Sequence, residues 1–184
     1  MILYKNGFVV ADMSAENSAY NAWPLADKKN DKMAQALTDE AYNRWFAVYD
    51  MQQILPDTEY IKRYLDYCNR IHLPVKVLLF ESPNGNIAID NEPKICETLG
   101  FDCIGTVHYS YLQTEYNEFR PELLEQNIVL NPHGLLGRLE DVLFFVKLRK
   151  KVIASGINLE DFWEELPVRI SVVDFQWADS TADG

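Results

Sequence analysis

The hydrophobic residues of this chain change their period twice, and that change constrains the fold more than any single motif. From residue 31 to 71 they recur at helical spacing, with Met33, Leu37, Ala41, Trp45 and Val48 on one stripe and Tyr60, Ile61, Tyr64, Leu65, Cys68 and Ile71 on the next. Pro56 separates the two stripes, and Asp57 is placed to cap the second helix. The run "VKVLLFE" at 75–81 is too short and too rich in branched residues for a helix, and "SPNG" closes it as a turn in which Gly85 takes a positive φ. From 101 to 111 the pattern alternates, as in a half-buried strand. Helical spacing returns at 135–155. A chain with both periods, and short turns between strands, is an α+β protein with a mostly antiparallel sheet and four to five helices.

The remaining segments fill in around that frame. "KNG" between "ILY" and "FVVAD" predicts an N-terminal hairpin, and residues 86–90 predict a strand returning from the turn. Pro93 and Gly100 sit where a short helix over 93–99 would begin and end. A helix starting near Pro121 continues the acidic stretch 113–130, a short helix follows Asn158, and a last strand covers 168–177. In the helix over 135–155, Arg149, Lys150 and Lys151 lie at the end where positive charge complements the helix dipole. The 184 residues fit one domain over 1–177, with a flexible polar tail at 178–184.

Charge is segregated. The net charge is −11, yet residues 81–125 hold nine acids against two bases, and 156–184 hold seven against one. Such a field repels nucleic acid and attracts a basic partner. No apolar run reaches the length of a membrane span and no signal-peptide layout opens the chain, so a cytoplasmic location is expected. Three cysteines without a CxxC fit reduced thiols.

Few residues carry recognisable chemistry. The three histidines, His72, His108 and His133, fall in separate segments without metal-ligand spacing, and neither phosphate-binding glycine pattern is present. No metal or cofactor is expected. Cys103 and His108 lie on opposite parities of the predicted strand and about 16 Å apart along it, which rules out a direct dyad there. "KICETLGF" resembles the "LYEKLGF" element of GNAT-superfamily acyltransferases over eight residues, which implies a helix–glycine–strand junction. The glycine-rich turn by which that superfamily holds coenzyme A has no counterpart here.

"HYSYLQTEYNEF" interleaves rings with polar and acidic residues, the make-up of a recognition surface. In type, a small acidic chain without a catalytic motif resembles the immunity proteins of bacterial contact-dependent and polymorphic toxin systems. That resemblance implies a basic toxin domain, such as a nuclease, as partner. The candidate contact residues, taken from the chain's own acidic stretches, are Asp102, His108, Glu115, Tyr116, Glu118, Glu122, Glu160, Asp161 and Glu164. Glu115, Tyr116, Glu118 and Glu122 are expected to be exposed. The alternatives are a small hydrolytic or thiol enzyme, with Cys96 or Cys103 and His133 as its reactive groups, and a homodimeric scaffold.

Overall fold

A computed structural model describes residues 1–12, 58–70, 72, 74–86, 88–89, 91–104, 110–155 and 166–177. In chain order these hold β1 (Tyr4–Asp12), α1 (Thr58–Arg70), β2 (Val75–Ser82), β3 (Lys94–Ile104), α2 (Tyr111–Glu125), α3 (Leu139–Ala154) and β4 (Leu166–Asp174). The strands form one sheet in the order β1-β2-β4-β3, and every pairing is antiparallel. The α+β class with an antiparallel sheet therefore holds, with three helices among the described residues. The helices expected at 31–54 and after Asn158, and the tail 178–184, lie outside them.

The sheet is buried on two sides. Cys103 and Ile104 are neighbours in β3 and so point to opposite faces. Ile104 joins Val9, Leu78, Phe80, Val168 and Ile170. Cys103 joins the apolar faces of α2 and α3, where Leu112, Phe119, Leu123, Val142 and Phe145 meet. Phe119 and Phe145 cross edge to face at 5.5 Å between ring centroids. In α1, Ile61 and Cys68 are fully buried, as the apolar stripe over 57–71 predicts.

Four local expectations are corrected. "KNG" does not turn: β1 runs through it as one strand on β2, and Asn6 is the extra residue of a bulge between Lys5 and Gly7. Gly7 takes φ 138° there, and the Ser82 hydroxyl donates to Asn6 Oδ1 at 2.8 Å. Pairing with β2 buries Phe8, Val9 and Val10, which a three-residue hairpin arm could not do. The turn after β2 forms, with Gly85 N–H donating to the Ser82 carbonyl at 3.2 Å, but Gly85 is not among the positive-φ residues. Its Cβ would instead strike the Tyr4 carbonyl and the Asn6 side chain. Asn86, Ala88 and Ile89 are not in a strand.

The largest correction concerns 93–99. These residues are no helix; Lys94 begins β3, so the likeness of "KICETLGF" to a helix–glycine–strand junction fails. Pro93 and Gly100 fit helix punctuation, but pairing with β4 over Lys94–Ile104 supersedes it. Gly100 stands at φ 142° beside a second bulge. A Cβ on it would lie 2.7 Å from the Leu136 carbonyl oxygen and 2.9 Å from Asn131 Nδ2. Gly100→Ala is therefore expected to lower stability by about 3 kcal/mol, from backbone strain and a clash with main chain. Urea unfolding of the variant measures this.

Candidate functional site

Two sets of groups stand out, a buried one where α2 meets β3 and α3, and an exposed one along α2. The buried set begins where β3 hands over to the helix. Asp102 is fully buried, and its Oδ1 accepts from the Ser110 hydroxyl at 2.9 Å and from Cys103 N–H at 2.7 Å. Burial lifts the Asp102 carboxyl to about 7, against the pull of those two hydrogen bonds. This clasp fixes the end of β3 to the residue that precedes α2.

One turn further in, Glu115 and Arg149 form a bidentate pair between α2 and α3. Arg149 Nε donates to Oε2 at 2.5 Å and its Nη2 to Oε1 at 2.7 Å. Arg149 is completely buried and Glu115 nearly so. The guanidinium also lies over the Tyr111 ring, 3.5 Å from its centroid. Arg149 is thus no solvated charge at a helix end, as its place beside Lys150 and Lys151 suggests. The overlooked signal is its spacing: Val142, Phe145, Val146 and Arg149 follow the 3.6-residue period of the buried face of α3.

The exposed set lies along α2 itself. The helix starts ten residues before Pro121, which sits inside it. Pro121 is exposed, as is Asn117, whose carbonyl loses its helical donor and can turn to water. Glu118, Glu122 and Glu125 are all exposed, and their spacing places them on one side of the helix. None of the three has an ion-pair partner among the described residues. Helix energetics disfavours this arrangement. Glu118 and Glu122 repel at i,i+4, and Glu122 and Glu125 occupy a last turn that holds no basic residue.

The candidate contact residues therefore divide. Glu118 and Glu122 are exposed as expected, and Glu125 extends their line. Tyr116 is half-buried against the α2–α3 core. Asp102 and Glu115 are corrected: both are buried and hydrogen-bonded inside the protein, so neither carboxylate faces a partner. Both come from a stretch where acids are frequent, but Asp102 stands between Phe101 and Cys103, and Glu115 is drawn inward by Arg149. His108, Glu160, Asp161 and Glu164 lie outside the described residues.

The reactive-group candidates divide between core and surface. Cys68 and Cys103 are buried, and Cys96 is exposed on β3. His133 Nε2 stands 3.7 Å from Glu97 Oε1 at the surface. Among the described residues no three His, Cys, Asp or Glu side chains converge as a metal site, and no helix is long and apolar enough to cross a membrane. Compared with protein-family models, with curated proteins and with solved structures, the chain matches none.

Proposed function

We propose that this chain is a toxin-neutralising immunity protein that binds a basic protein, such as a nuclease toxin domain, through the acidic outer side of α2. The observation that carries this reading is the line Glu118, Glu122 and Glu125. Three exposed carboxylates stand together where the helix itself would be more stable without them, and a basic partner supplies the missing counter-charge. The overall charge of −11 adds a long-range field of the same sign.

The enzymatic alternative draws its one support from Asp102, a buried carboxyl that titrates near neutrality. Its hydrogen bonds to Ser110 and to the backbone of Cys103 are those of a structural clasp, which weighs against it.

Capture from lysate of the source organism tests the proposal, with wild type and the E118K/E122K/E125K variant as paired baits. Wild type is expected to retain a basic protein at low salt and to release it as salt rises. The variant should retain little of it. Equal capture by both baits would remove α2 from the account.

A further inference from the structure

β3 is two strands in character. Lys94–Thr98 is exposed at all five positions, so both faces of the sheet are open there. Among the described residues its ladder runs on one side only, to β4. From Leu99 onward the outer side is closed. Asn131 Nδ2 donates to the Leu99 carbonyl at 2.7 Å, Phe101 and Leu136 exchange backbone hydrogen bonds at 2.8 and 2.9 Å, and Ile104 bridges Ser110. The free edge is therefore short and has a defined end. A bulge between Thr98 and Gly100 marks its inner end, and a bulge between Ile95 and Glu97 falls within it and turns Lys94 and Glu97 to one face.

We infer that Lys94–Thr98 pairs antiparallel with the same segment of a second copy of this chain, joining two four-stranded sheets edge to edge. The charge order of the segment is self-complementary. When Ile95 opposes Cys96 of the second copy, Lys94 opposes Glu97 of the second copy, and two-fold symmetry repeats the pair. Lys94 and Glu97 face the same way, because their β4 partners, Asp174 and Val172, are two residues apart. A two-fold axis perpendicular to the sheet keeps that face continuous, so the opposite charges meet on one surface. The contact also covers Ile95, an apolar side chain left 46% exposed. The edge is short, so the dimer is weak and forms at high protein concentration.

Sedimentation equilibrium of the full chain at low salt tests this with three variants. Wild type should shift from the 21.3 kDa monomer towards twice that mass as concentration rises. K94E and E97K each place like charges opposite one another at both symmetric positions. Each should raise the dimer dissociation constant about tenfold or more. The double variant K94E/E97K restores opposite pairs and should return to within about threefold of wild type. A wild type that stays monomeric at every concentration overturns the inference. So do single reversals that leave the dimer unchanged, or a double variant weaker than either single. E118K/E122K/E125K should dimerise as wild type does, which keeps this outcome separate from the fate of the α2 surface.

Discussion

Glu115→Ala is expected to destabilise the protein by about 3–5 kcal/mol, the cost of leaving one partner of a buried ion pair alone. Arg149 has no exposed surface, and a guanidinium stays ionised at every accessible pH. Its charge inside the α2–α3 interface is tolerable because both Glu115 oxygens accept from it and the Tyr111 ring lies beneath it. Without the carboxylate, that charge stays buried beside the Tyr111 ring with both Glu115 acceptors gone. The pair itself need not be worth that much. The double replacement E115L/R149M, which removes both charges and keeps volume, should recover most of the loss. Urea midpoints for wild type, the single variant and the double variant give the coupling directly. If Glu115→Ala costs under about 1 kcal/mol, the pair is solvated and the buried assignment is wrong.

The second large effect is one of pH. Asp102 titrates near 7 in the folded protein and near 3.9 in an unfolded chain. Between those values the folded state holds a proton that the unfolded state releases. The stability this group contributes is thus complete below about pH 4, declines as pH rises, and is gone above about pH 7. The span corresponds to a contribution on the order of 4 kcal/mol. Ordinary surface carboxylates have the opposite sign, so the informative quantity is a difference between two proteins. Asp102→Asn retains an oxygen that can accept from Ser110 and Cys103 but cannot ionise. Relative to wild type, its urea midpoint should rise steadily from pH 4 to 7 and then run parallel. A constant difference across that range would mean that Asp102 is ionised throughout.

Much of the architecture could be read from the residues, and the reasons differ by element. β2 and β4 were legible because each is a branched apolar run with clear punctuation. α1 and α3 were legible because their stripes keep a 3.6-residue period over several turns. β3 was half-read. Its second half alternates, but Lys94–Thr98 carries the proline and glycine marks of a helix, and only the partner strand β4 decides otherwise. β1 differs from the expected hairpin for a related reason: Asn-Gly favours positive φ, which serves a bulge as well as a turn. In α2, Pro121 suggested a first helical residue, although an exposed proline within a helix costs less where water can reach the freed carbonyl.

The candidate site was legible only in part, because side-chain burial is a tertiary outcome. Glu115 and Glu118 look alike in the sequence, both acids in a tyrosine-rich stretch. They stand one turn apart on neighbouring positions of one helix, and packing of α3 covers Glu115 through Arg149 while Glu118 stays in water. Arg149 was the informative omission. A basic residue on the apolar period of α3 requires a buried acid, and that requirement would have assigned Glu115 to the interior.

The central claim is that the acidic side of α2 recruits a basic protein. Its most direct test is the association rate of the captured partner with wild type and with E118K/E122K/E125K, measured as salt is raised. The account predicts that wild type associates about tenfold or more faster at low salt than at high salt, and that the variant is slow throughout with little salt dependence. Equal rates and equal salt dependence for the two proteins would contradict it and place the interface elsewhere on the molecule.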